Sequence, residues 1–324
     1  MKVAVTTIMK DETPEFIERW AKSAIDADEL VLTDTGSSND AVTCARDLGV
    51  TVHEIDVKPL RFDVARNAGL ALISPDIDTV LTVDVDEVLT AGWRDHLDNA
   101  PEARRYSYDY VWNWTVGGEP NIAFRGDRCH SRFGWMWRHP IHEALYATEP
   151  DPGPTVPLDF RIEHHADNTK PRSQYLPLLR VAVQEDPNND RMAHYYAREL
   201  FFIGDWAAAR AEFVRHLALP SATWAAERAQ SLRYLAKMDD YPEKWLLRAA
   251  AEDPDRREPL VDLVDLWWER GQPIIAAGFA MRALQVTQTS GDYLREADAW
   301  DDRRLVAIVQ AAMWEAGQQQ KQED

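Results

Sequence analysis

Three carboxylates crowd the end of an apolar, β-branched run, Asp78-Thr-Val-Leu-Thr-Val-Asp84-Val85-Asp86-Glu87. Burying them is costly unless a cation or hydrogen-bond donors meet them. In an open α/β sheet the carboxyl end of a strand is where ligands sit. Hard oxygen ligands at that place suit a divalent metal carrying a phosphorylated substrate. On an extended strand the Asp-x-Asp spacing puts Asp84 and Asp86 on one face and Glu87 on the other. A solvated acidic turn after an edge strand is the competing reading.

Other residue types with chemical potential lie on both sides of this run. Asp34 ends a second apolar run, where a carboxylate can accept hydrogen bonds from a pyrimidine N–H or a ribose hydroxyl, or instead cap the turn 36–39. Arg66 falls in a helical stretch with Val64, Ala68 and Leu72 as an apolar face. Its fork can bind a base carbonyl or a phosphate, or pair with Asp34 or Asp63. Asn67 reads as structural. Glu143 follows Trp135-Met-Trp-Arg-His-Pro-Ile-His142, among aromatics and a proline-fixed turn, a setting for a general base unless it pairs with Arg138. His164 and His165 are adjacent at the end of an alternating segment (Leu158, Phe160, Ile162), so only one of them faces a given side.

The elements that must position these residues alternate in type. Strands are expected at 3–8, 29–33, 51–55 and 79–83, with helices at 14–25, 41–48 and 62–72. Four strands with three crossovers make a parallel, Rossmann-like sheet. Residues 104–166, dense in Trp and Tyr, predict antiparallel strands and loops that roof a pocket. From about 170 the pattern turns helical, with Pro187, Pro220 and Pro254 spaced by 33 and 34 residues. Gly204 and Gly271 sit 67 residues apart, about two such units, and Asp239-Asp240 stands where the middle copy lacks a glycine. Trp206, Trp224, Trp245, Trp267 and Trp268 read as packing between hairpins. The polar tail 319–324 is expected to fray.

Bulk properties narrow the class. The chain has 324 residues, long enough for two domains, with 45% hydrophobic and 28% charged residues. A net charge of -19 argues against wrapping nucleic acid but leaves room for one nucleotide. Cys44 and Cys129 form no spacing motif and suit a reducing cytosol, and the N-terminal run 3–9 reads as a strand rather than a signal peptide. No 18-residue apolar run exists, so no membrane span and a cytoplasmic location are expected.

Taken in order, Thr6-Thr-Ile-Met-Lys-Asp-Glu12, Leu32-Thr-Asp-Thr-Gly-Ser-Ser-Asn-Asp40, Phe62-Asp-Val-Ala-Arg-Asn67, Val83-Asp-Val-Asp-Glu87, Pro140-Ile-His-Glu143 and Ile162-Glu-His-His165 carry a resemblance. The chain resembles the family 2 glycosyltransferases with the GT-A fold, in the branch with tetratricopeptide-like helices at the C-terminus, over residues 3–220. The resemblance implies an α/β GT-A domain over 1–168 and an all-α helical-hairpin domain over 169–318. It implies a metal-dependent, inverting transfer of a hexose from a nucleoside-diphosphate sugar, with UDP the first choice, to a hydroxyl of a protein or glycan acceptor. By this resemblance Glu143 is the catalytic base, and Thr6, Ile8, Glu12, Asp34, Arg66, Asp84 and His142 line the substrate. Asp86 and His164 hold Mn²⁺ or Mg²⁺, a histidine ligand leaning toward Mn²⁺. Strand phase sets His164 with Ile162, and His165 stays open as the alternative. Lys170 or Arg172 is a candidate clamp on the diphosphate. The helical domain suits a polypeptide acceptor, or self-association as a homo-oligomer. The rival reading is a helical-repeat interaction scaffold with an inactive glycosyltransferase-like domain.

Overall fold

Four short, apolar, β-branched runs pair in parallel as β1 (Val3–Met9), β2 (Glu29–Asp34), β3 (Thr51–Glu54) and β4 (Thr79–Thr82), in the order β3-β2-β1-β4. The structure is a computed structural model that describes residues 1–167, 175–288 and 292–323, with side chains as far as 318. The clamp candidates Lys170 and Arg172 lie outside the described residues. The chain divides into two compact units, Met1–Leu178 and Leu179–Asp324.

In the first unit α1 (Pro14–Ser23), α2 (Ala41–Asp47) and α3 (Phe62–Leu72) are the crossovers. Both sheet faces are covered, so the strands are apolar on both sides, as parallel strands usually are. Val3, Val5, Leu32 and Leu81 pack with Trp20 on one face, while Ala4, Val31 and Val80 pack with Leu70 and Trp137 on the other. Trp20 is fully buried, and its indole Nε1 donates to the Val83 carbonyl at 2.9 Å, pinning α1 to the end of β4.

Helix α3 presents a different face from the one its apolar residues suggest. Asp63, Ala65, Arg66, Gly69 and Leu70 are buried, whereas Val64 and Leu72 are exposed at 44% and 40%. Gly69 is the reason the helix lies close. A Cβ there would stand 2.7 Å from Thr33 Oγ1, so only glycine permits the approach.

The chain then runs through β5 (Glu87–Leu89), α4 (Trp93–Asp98), β6 (Arg105–Trp114), β7 (Pro120–Ser131), β8 (Trp135–Arg138), β9 (Ala144–Ala147) and β10 (Thr155–His164). The sheet continues from β4 as β7-β6-β10-β5, eight strands in all, and β8 and β9 form a separate hairpin. Antiparallel strands and loops are the expectation for this stretch. β7 does pair antiparallel with β4 and β6, but β10 lies parallel to β6. The β8–β9 excursion carries the chain back to the end of the sheet where β6 starts, so β10 repeats its direction.

Helix α5 (Tyr175–Glu185) starts in the first unit, and the second unit runs on from it as helical hairpins: α6 (Asp190–Phe202), α7 (Trp206–Ala218), α8 (Ala225–Lys237), α9 (Glu243–Glu252), α10 (Glu258–Glu269), α11 (Pro273–Gln285) and α12 (Asp302–Glu323). Gly204 and Gly271 turn within hairpins at φ 83° and 68°, the left-handed C-terminal stop that glycine favours. Asp239 serves the middle hairpin, its carboxylate accepting from the Tyr241 N–H at 2.9 Å. Trp245 and Trp267 pack around Leu246 and Leu263. Trp206 and Trp268 do not pack as expected, at 59% and 40% exposure. Trp224, at the N-cap of α8, is 40% exposed but rests against the Tyr293 ring at 5.8 Å. Among the described residues no helix is long and apolar enough to cross a membrane.

Candidate active site

The acid run leaves the strand before its first carboxylate. β4 ends at Thr82, and residues 84–87 form a turn closed by the Glu87 N–H on the Asp84 carbonyl at 2.9 Å. Val83 and Val85 remain buried, and the acids find separate partners. Asp84 Oδ1 accepts from Arg66 Nη2 at 2.8 Å and Oδ2 from Arg128 Nη1 at 2.9 Å. Arg128 also forks onto both oxygens of Glu87, at 2.6 and 2.7 Å. Glu87 is fully buried, takes the Tyr110 hydroxyl at 2.7 Å and accepts the Asp84 N–H at 2.7 Å. The positive charge that buried acids demand is therefore supplied by two guanidiniums. Arg128, on β7, was missed in the sequence. The signal was arithmetic: Asp84, Glu87 and Glu143 exceed what Arg66 alone can neutralise.

These pairings set the protonation states. Burial pushes the Asp84 carboxyl up, but Arg66 and Arg128 outweigh it and hold it well below the usual carboxylate range. Glu87, more deeply enclosed, is pushed up by burial and by Asp84 against the pull of Arg128. Burial weighs against the charge on both arginines, yet the surrounding carboxylates raise them further.

The turn between β8 and β9 carries Glu143 and is held in a strained shape. His139 and His142 adopt left-handed φ values of 80° and 50°, rare for side chains with a Cβ. Helix α3 clamps it: Asn67 Nδ2 donates to the Trp137 carbonyl and Asn67 Oδ1 accepts the Trp137 N–H, both at 2.8 Å, while the Phe62 N–H donates to Pro140 O at 3.0 Å. Glu143 thereby meets Arg66 Nε, not Arg138 and not a bare aromatic surface. Arg66 lies under the Trp137 ring at 5.0 Å and bonds both Asp84 and Glu143. Neither Asp34 nor Asp63 is its partner. His142 meets the Tyr175 ring edge-on at 5.9 Å.

Asp34 shapes its own loop. It is buried, and its carboxylate accepts from the Gly36 N–H at 3.0 Å, the Ser37 N–H at 3.1 Å and the Ser37 hydroxyl at 2.5 Å. That is the turn-cap arrangement rather than an open acceptor for a base. Glu12 is buried beneath the same loop, its carbonyl accepting from Asn39 Nδ2 at 3.0 Å. Thr6 and Ile8 line a cavity of about 10 Å³ beside Arg66, far below the 300 Å³ or more that a nucleoside pocket needs.

Asp86 faces the last strand. His164 Nε2 stands 3.3 Å from Asp86 Oδ2, while its Nδ1 is 2.9 Å from the Trp112 carbonyl. The Trp112 ring stacks on the imidazole at 4.4 Å and 12°. His165 turns aside to Glu163 at 3.8 Å, although its N–H donates to the Asp86 carbonyl at 2.8 Å. Burial pushes the His164 imidazole down, but Asp86 and the Trp112 carbonyl raise it on balance. Among the described residues no group of three or more His, Cys, Asp or Glu converges as a metal cage. The pair nevertheless fits a divalent cation that takes its other ligands from substrate and water. The Trp112 carbonyl holds the Nδ1–H, so on loss of the Nε2 proton that now faces Asp86 the Nε2 lone pair would be free for a cation, the usual support of a ligating histidine.

No family model and no curated protein matches the chain. Among solved structures it is similar to the glucosyl-3-phosphoglycerate synthase from Mycobacterium tuberculosis in complex with uridine diphosphate, at 16% identity over 56% of this chain and 77% of that one, TM-score 0.38. It is similar to MamA at 15% identity, 45% and 89% coverage and TM-score 0.31. Pseudomonas aeruginosa pilF shares 15% identity over 41% of this chain, which spans 63% of its length, at TM-score 0.31. Likeness at these scores carries no argument about activity. The fold stands on its own strand order: an α/β domain followed by a helical one.

Proposed function

We propose that this protein is a metal-dependent, inverting glycosyltransferase that moves a hexose from a nucleoside-diphosphate sugar, UDP first, to a hydroxyl of a protein or glycan acceptor. The observation that carries the reading is the convergence of Asp84, Glu143 and Arg66 from three separate elements, with the Asp86–His164 pair two residues along the same turn. Asp86 and His164 would hold Mn²⁺ or Mg²⁺, which supplies Lewis-acid neutralisation of a leaving diphosphate. Glu143 takes the proton of the acceptor hydroxyl as its oxygen bonds to the anomeric carbon. The bond from that carbon to the β-phosphate oxygen breaks, and the nucleoside diphosphate leaves from the opposite face. Arg66 aims Glu143, and Asp84 is fixed between two guanidiniums beside the donor. A single displacement with one base inverts the anomeric centre.

One feature favours the scaffold reading: Asp84 and Glu143 are already neutralised by arginines within the protein. Isothermal titration with UDP separates the two. The transferase binds UDP more tightly when Mn²⁺ is present, and a scaffold shows no metal-linked binding.

A further inference from the structure

The cavity beside Arg66 has more polar atoms than its protein neighbours satisfy. Trp137 Nε1 and Thr82 Oγ1 are each the single polar side-chain atom of their residue, both residues are at least 97% buried, and neither atom has a hydrogen-bond partner among the described residues. Arg66 Nη1 is likewise shielded and without a partner among the described residues, although Nε and Nη2 of the same guanidinium are engaged by Glu143 and Asp84. All three residues line one cavity, together with Thr6 and Gly69. Orphaned buried donors are uncommon in folded proteins, and three around one cavity call for a shared partner.

The size and the chemistry select that partner. The volume is about 10 Å³, the space of one water and too small for a ring or a phosphate. Two of the groups, the indole N–H and the guanidinium N–H, only donate, so the occupant must accept twice. The Thr82 hydroxyl both donates and accepts, so the same occupant can also donate. A water molecule meets all of these demands, and a cation meets none of the first two. We infer that one ordered water is bound between Arg66, Trp137 and Thr82, and that it is the third hydrogen-bond partner of the Arg66 guanidinium. It holds the guanidinium plane so that Nε stays on Glu143 and Nη2 on Asp84. Arg66 is thus a positioning residue fixed from a wet cavity behind it. This inference does not depend on the transferase reading.

Two measurements test it. In protein labelled with ¹⁵N-tryptophan, one of the thirteen indole N–H signals, identified by its loss in Trp137→Phe, shows a long-lived cross-peak to water. Thr82→Val, which keeps the shape and removes the hydroxyl, lowers the melting temperature by about 2–4 °C because the water loses a partner. A dry cavity gives the opposite sign, since replacing an unmet hydroxyl by a methyl group there is neutral or stabilising. An absent cross-peak, or an unchanged or raised melting temperature, overturns the inference. Should Thr82→Val fail to fold, the wild-type cross-peak decides alone.

Discussion

Arg66 and Glu143 form an ion pair across 77 positions of sequence, joining the buried face of α3 to the turn between β8 and β9. The pair places a carboxylate where proton abstraction is needed and keeps it from swinging away. Glu143→Gln preserves an acceptor for Arg66 but cannot take a proton. Its kcat is expected to fall by roughly 10²–10⁴ while the Kd for UDP changes little. Steady-state kinetics with titration calorimetry check both halves, and near-normal turnover would remove Glu143 from the mechanism.

The pairing of His164 with Asp86 yields a metal prediction. His164→Ala and Asp86→Asn should each weaken Mn²⁺-linked UDP binding by at least the roughly 10–100-fold that loss of an outer ligand-supporting group costs. His165→Ala should leave it in place, because that ring points to Glu163. Titration of Mn²⁺ at fixed UDP measures the order of the three variants. Equal loss in His164→Ala and His165→Ala would contradict the geometry.

The four parallel strands were legible because each is a short β-branched run and each crossover carries helix signals. The site was legible only in part. The inner face of α3 could not be read from its apolar residues, since Val64 and Leu72 face out and a charged Arg66 faces in, at 8% exposure. Arg128 reaches the acid turn because Cys129 registers against both Leu81 and Tyr106, a pairing no local pattern encodes. His164 is set apart from His165 by the register His164↔Glu87 between β10 and β5. Buried charge and strand register are long-range facts, and propensity and periodicity are short-range ones.

Arg128 is predicted to matter for stability before anything else. Arg128→Met leaves Glu87 buried with its charge opposed only by neutral donors, and Asp84 with half its support. Breaking a buried pair in this way costs about 3–5 kcal/mol. Pairing the change with Glu87→Met should recover part of the loss, because removing both charges lifts the desolvation penalty. Urea unfolding of the two variants gives the comparison, and a double variant no more stable than Arg128→Met would count against it.

Acid should loosen both units through one buried histidine in each. Burial, aided by Arg105 and Arg132, lowers the His130 imidazole to about 4, and burial with Arg228 and Arg215 lowers His216 to about 4. The ordinary value in an unfolded chain is about 6.5. Between those limits the unfolded chain binds protons that the folded one refuses, so stability rises with pH. The contribution is complete above about 6.5 and declines as pH falls toward about 4, by about 1.4 kcal/mol per pH unit for each histidine. The depressed Asp84 carboxyl acts in a separate window, since its stabilisation is lost only below the ordinary aspartate range. Urea unfolding at pH 7, 6, 5 and 4.5 should show the decline, and His130→Gln should flatten it for the sheet unit. Stability that stayed level across that series would mean both imidazoles are protonated inside the fold, although among the described residues the His130 Nδ1 and His216 Nδ1 atoms meet only the Ser131 carbonyl and the Ser231 hydroxyl, and the Glu227 carboxylate stands 3.9 Å from His216 Nε2.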